Sequence, residues 1–228
     1  MSIGDHLSDV KVLWGVAGCA NTSKCLLTAA EKGVDIDGRS VDMQSESAMN
    51  EILSFSPFGS LPVLKDVDFY VYGTNAILSY LDDKGFGNSL VPRNAVARTQ
   101  QYQWIHIASD VFATAVEKLS GDNNDASAIS EIKNLLSALD ERLGSKQQRG
   151  DYIVGDFSLA DIHWAPYIHH CCLYGQESLV DALPNVKTWW SNMKVRKSTS
   201  KENYTAYTVL PSLDEIRSNK LRSVSINV

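Results

Sequence analysis

Residues Ser56 to Leu64 read SPFGSLPVL, and this stretch decides how the first third of the chain folds. Two prolines and a glycine make a constrained turn that feeds a short strand, Val63 to Lys65. Asp66-Val67-Asp68 is a tight connection into a second strand, Phe69 to Tyr72, so the pair reads as a hairpin. Pro62 sits between turn and strand, where its missing N–H costs no ladder bond, and the Leu61–Pro62 bond is expected to be cis. Thr74 is placed to cap a helix running to about Lys84, with Ala76, Ile77, Tyr80 and Leu81 inward.

Upstream of this ββα unit the pattern is βαβ. Val10 to Trp14 (VKVLW) is a β-branched run ended by Gly15, and Val16 to Thr22 is a small, polar loop. Helical spacing begins at Ser23, and Gly33 after Glu31-Lys32 is a C-terminal stop. Ile36 to Val41 is a second strand, close enough to the first for a parallel pair with a right-handed crossover. Asp42 to Ser54 is polar with weak helical character.

Downstream, Gly85 to Asn94 (GFGNSLVPRN) has linker composition, and the chain beyond it reads as helix. Ala95 to Val116 is one long candidate. Ile129, Ile132, Leu135, Leu136, Leu139 and Leu143 form a 3.6-period stripe, and Ser158-Leu159-Ala160-Asp161 is a capping box. Another helix opens at Pro184, and a short one is expected near Leu213 to Arg222. The expected division is an α/β domain over 1–86, a linker over 87–94 and an all-helical domain with a terminal tail over 95–228.

The composition bounds the partners. Apolar residues make up 44% and charged residues 21%, with a net charge of −6 and no Lys/Arg cluster, which argues against nucleic acid. No apolar run reaches about 20 residues, so no membrane span is expected. The first nine residues lack the features of a secretory leader. Cys19, Cys25, Cys171 and Cys172 have spacings that suit neither a disulfide framework nor a zinc clip, so a reduced, cytoplasmic chain is expected. His169-His170-Cys171-Cys172 cannot aim more than two side chains at one point from a helix, and no metal is expected there.

Five stretches, in this order and spacing, resemble one family. VKVLWG with AAEKGVD, SPFGSLPVL, GTNAILSYLDDKG, FSLADI and LPNVKTWW together are similar to the cytosolic glutathione transferases, from about Val10 to Lys197. Within them the match is closest to the phi branch and to the branch of the yeast nitrogen regulator. The resemblance implies a thioredoxin-like N-terminal domain plus an all-α C-terminal domain, glutathione as co-substrate, a small electrophile as second substrate, and a homodimer. It also implies that the backbone of Leu61, before Pro62, pairs with the cysteinyl part of glutathione. Gly73 and Thr74, at a helix N-terminus, would meet the γ-glutamyl carboxylate.

By the same resemblance Cys19 falls at the position of the catalytic serine. A thiolate is favoured beside a helix N-terminus, and it could form a mixed disulfide with glutathione instead of only hydrogen-bonding to it. Asn21 is the rival partner for the thiol, because Asn21 and Lys24 keep part of the nitrogen-regulator pattern. Cys25 reads as core. Trp104, Ile105, Phe112 and the tail are candidates for the electrophile pocket, since such pockets form between domains. Four positions depart from the family: Gly73 replaces an acidic or amide residue, Ser47 and Ala48 stand near where bases grip the glycyl carboxylate, and Ala20 replaces proline. Gln44, Asn50 or Lys65 could compensate. A site short of charge-assisted bonds at both ends of glutathione keeps a second reading open, a non-catalytic interaction module like that of the elongation-factor gamma subunit.

Overall fold

The computed structural model describes residues 10–145, 150–196 and 209–225. They divide into two compact units, one formed by residues up to Asn88 together with those from Arg196 onward, the other by Ser89–Val195. The sequence placed everything after residue 95 with the helices. The structure instead returns the last segment to the first unit.

The first unit is a four-stranded mixed sheet in the order β2-β1-β3-β4. Strands β1 (Lys11–Gly15) and β2 (Ile36–Ser40) run parallel, joined by helix α1 (Ala20–Lys32). Strand β3 (Val63–Asp66) is antiparallel to β1 and makes the expected hairpin with β4 (Phe69–Tyr72). Helix α1 starts three residues before the apolar spacing does, because Ala20 to Thr22 extend it N-terminally; Gly33 ends it in the left-handed conformation, as its position suggests. The polar stretch after β2 forms α2 (Glu46–Phe55), capped by Ser45 through the Ala48 N–H at 3.3 Å. Its inner face completes a small core of Trp14, Val41, Ile52 and Val63, with the Phe55 ring centre 4.8 Å from that of Trp14. Helix α3 (Thr74–Lys84) is held to α1 by a buried ion pair, Lys32 to Asp82 at 2.9 Å.

The second unit is helical. Helix α4 (Ala95–His106) passes through a π-helical segment, Ile107–Phe112, into α5 (Ala113–Gly121), so the long helix expected from Ala95 is a three-part rod. Then follow α6 (Ala126–Leu143), α7 (Leu159–Leu173), a short α8 (Glu177–Asp181) with no counterpart in the sequence reading, and α9 (Pro184–Val195). The capping box opens α7, with Ser158 and Asp161 bonded reciprocally. The last element, α10 (Leu213–Arg217), belongs to the first unit. None of the described helices is long and apolar enough to cross a membrane.

Candidate active site

The sheet register gathers the predicted thiol-site residues. Trp14 pairs with Val63, and Val63 with Tyr72, so β1 ends where β3 begins and β4 ends. Residues 16–19, the Leu61–Pro62 bond and the Gly73–Thr74 step therefore all emerge from one end of the sheet. The Leu61–Pro62 bond is cis, as its place before a strand led us to expect.

The loop after β1 is short and closed by one backbone bond and one threonine hydroxyl. The Cys19 N–H donates to the Val16 carbonyl at 3.1 Å, and the Val16 N–H donates to Thr22 Oγ1 at 3.3 Å. Cys19 is the N-cap residue of α1, in extended backbone, and its side chain makes no capping bond. Its thiol, half-buried, stands at the positive end of a 13-residue helix whose first turn carries no acidic residue. Asn21 lies in that first turn, and its Oδ1 already accepts from Lys24 Nζ at 3.0 Å. The remaining cysteines are enclosed. Burial pushes the Cys25 and Cys171 thiols far above their ordinary value, and pushes Cys172 up to about 11.

At the start of α3 the cap is Gly73 and not Thr74, which is the first helical residue. Gly73 has φ 84°, where only glycine sits without strain, and no side chain caps the helix. Its first N–H groups are left to a ligand or to water. Gln44 and Asn50 are exposed on either side of the α2 cap, and Lys65 Nζ lies 5.3 Å from the Tyr70 ring centre. Sequence reading passed over Arg39. Near the end of β2, it lies with its guanidinium 5.6 Å from the Trp14 ring and paired with Asp37, and it shares a groove of about 240 Å³ with Ala48 and Glu51. The signal was faint: one cation near a strand end, next to the polar stretch.

The residues proposed for the electrophile lie in the helical unit. Trp104 and Ile105 are half-buried, and the Trp104 carbonyl accepts the Trp164 indole N–H at 3.0 Å. Phe112 has no exposed surface and stacks on Trp164 at 4.7 Å, so it is a core residue of that unit and not a pocket wall. The tail, proposed with them, lies in the first unit from Val209 to Ser225. His163 meets Ser109 at 2.9 Å inside the helices, and burial beside His169 lowers His170 to about 4. Among the described residues no group of three or more His, Cys, Asp or Glu could hold a metal ion.

A thiol at a helix N-terminus, a cis proline and a second helix without a side-chain cap thus stand at one end of the sheet. Residues 18–84 match the glutathione S-transferase N-terminal domain and residues 104–196 its C-terminal domain. Glutathione S-transferase F14 of Arabidopsis thaliana is 30% identical over 201 residues, 81% of this chain and 77% of that protein. The chain belongs to the glutathione transferase family. Glutathione S-transferase 1 of Zea mays is 27% identical over 202 residues, covering 83% of this chain and 94% of that one. Among solved structures, glutathione transferase F7 from Populus trichocarpa superposes with a TM-score of 0.70 at 24% identity, over 87% of this chain and 96% of its own, and shows the shared fold. The plant glutathione S-transferases among these relatives support the phi-like branch read from the motifs.

Proposed function

We propose that this family member acts on glutathione through Cys19, exchanging thiols on glutathione mixed disulfides. The observation that carries the reading is the half-exposed, uncapped Cys19 at the N-terminus of α1. The Cys19 thiolate attacks the glutathionyl sulfur of a mixed disulfide, the S–S bond breaks, and the partner leaves as a thiolate that takes up a proton. A glutathione thiolate then attacks the Cys19–glutathione disulfide, releasing oxidised glutathione and restoring Cys19. Conjugation of a small electrophile needs only that the same helix end hold the glutathione thiolate. The Asn21 amide, whose Oδ1 accepts from Lys24 Nζ, is the alternative partner for that thiolate and would donate to it through Nδ2. Leu61 and Pro62 flank the cysteinyl part, and Gly73 and Thr74 present the α3 N-terminus to the γ-glutamyl carboxylate. Arg39, in the groove with Ala48, supplies the cation for the glycyl end that Ser47 and Ala48 lack. Trp104 and Ile105 are kept as contacts for the second substrate. The functional assembly is a homodimer.

Calorimetric titration with glutathione, together with turnover of a glutathione mixed disulfide, tests this. One site per chain and turnover that Cys19→Ser reduces to background are expected. Absence of binding heat would leave the non-catalytic module, and unchanged turnover in Cys19→Ser would remove the thiol from the mechanism.

A further inference from the structure

The loop that carries Cys19 is not held by its neighbours in sequence alone. Residues 209–225 return to the first unit, and residues 221–224 lie along β2. Ile36 and Val224 exchange backbone bonds at 2.8 and 2.9 Å, the Gly38 N–H donates to Ser223 Oγ at 3.0 Å, and the Leu221 N–H donates to Ser40 Oγ at 2.8 Å. The segment fastens itself as well. Ser212 and Glu215 form a capping box, and the Arg222 guanidinium forks onto the Glu215 carboxylate with both bonds at 2.6 Å. That fork, the larger cause, together with the Ser212 bonds holds Glu215 down to about 2.

Asn219 is where this strap reaches the thiol loop. It occupies the left-handed position after α10, with φ 47°. Its N–H donates to the Ile216 carbonyl and the Lys220 N–H to the Glu215 carbonyl, the pair of bonds of a Schellman helix end. Glycine is the usual residue there, so an asparagine brings something the helix end does not need. What it brings is an amide that bridges two segments. Its Oδ1 accepts the Ala17 N–H at 3.1 Å, and its Nδ2 donates to the Val41 carbonyl at 2.9 Å. Three residues before it, Ile216 closes on Gly18, where an added Cβ would stand 2.8 Å from the isoleucine side chain. Ala17 and Gly18, the two residues preceding Cys19, are thus both gripped by this strap.

We infer that Asn219, aided by Ile216, is a positioning residue for Cys19: it fixes the backbone that aims the thiol at the end of α1. The inference rests on the reading of Cys19 as the thiol that meets glutathione. Asn219→Gly is the test, because glycine keeps the left-handed helix end and removes only the amide. The pH profile of Cys19 alkylation by iodoacetamide should move by about half a unit or more, since the thiol's exposure to the helix end changes. Turnover of the mixed disulfide should lose about tenfold in kcat, with KM for glutathione within about twofold. Continued protection of Cys25 from the reagent reports that the unit is folded. Asn219→Asp keeps the acceptor for Ala17 but turns an oxygen toward the Val41 carbonyl, and should fall between wild type and Asn219→Gly. An unchanged alkylation profile in Asn219→Gly overturns the inference. A moved profile combined with unaffected turnover in Cys19→Ser upholds the positioning role and instead refutes the reading of Cys19 as the reacting thiol.

Discussion

Cys25 and Cys171 have no exposed surface, and burial holds Cys172 up to about 11, whereas Cys19 is half-exposed at a helix end. Only the thiolate reacts at a useful rate, so exposure and setting together order the four thiols. Iodoacetamide at neutral pH should label Cys19 first, with Cys172 next and Cys25 and Cys171 only on unfolding. Peptide mapping of a partial reaction checks this, and early labelling of Cys25 would refute it. At this scale the sequence was informative where a motif pointed: Cys19, Pro62 and the Gly73–Thr74 step come to one sheet end. It was silent on Arg39 and Asn219, because their partners depend on pairings across the fold. Nothing local to Asn219 announces a contact with Ala17, 202 residues away.

The start of α7 is organised around one carboxylate. Asp161 Oδ1 accepts from the Ile153 N–H at 3.1 Å and the Trp189 indole at 2.8 Å, and its Oδ2 accepts from the Ser158 N–H and hydroxyl at 2.9 and 3.2 Å. Burial raises this group to about 6 against the pull of those four donors, so it is ionised at neutral pH. Asp161→Asn places N–H groups against donors and should cost about 2–4 kcal/mol at pH 7. A folded value raised above the ordinary 3.8 means that the carboxyl's contribution to stability is complete below that value and is lost as pH rises through about 6. The melting gap between wild type and variant should therefore widen as pH falls from about 6 toward 4. Thermal melts across that range check it, and a gap that closes with falling pH would refute it. Ser158 and Asp161 were legible because a capping box is a local device. The π-helical segment was not, since periodicity carries straight through Ile107–Phe112, and α8 is too short to show a period. Helix α2 shows only one inward residue fully buried, Ile52, which is why its stretch read as weakly helical.

Phe58, Phe69 and Leu53 of the first unit are 78, 56 and 49% exposed, and Phe58 meets Tyr72 edge-on at 6.0 Å. Large apolar side chains left in water on one unit are the kind of surface a second copy covers, and a stable dimer needs about 800 Å² from each partner. Sedimentation equilibrium should give twice the 25.1 kDa chain mass, and Phe58→Ser should shift the distribution toward the single chain. A mass of one chain at all concentrations would refute the dimer. The two-part organisation was legible from the GFGNSLVPRN linker, but the sharing-out of the chain was not, because residues 209–225 carry no apolar period to say which core they serve. Their return has a consequence for biosynthesis. Strand β2 lies at the border of its sheet, and Val224 is its only ladder partner on the outer side among the described residues. At about 5–20 residues per second, some ten to forty seconds of translation separate the emergence of β2 from that of its cover. Throughout that interval the nascent chain presents an unpaired strand border, the type of surface on which neighbouring polypeptides template aggregation and which holdase chaperones shield.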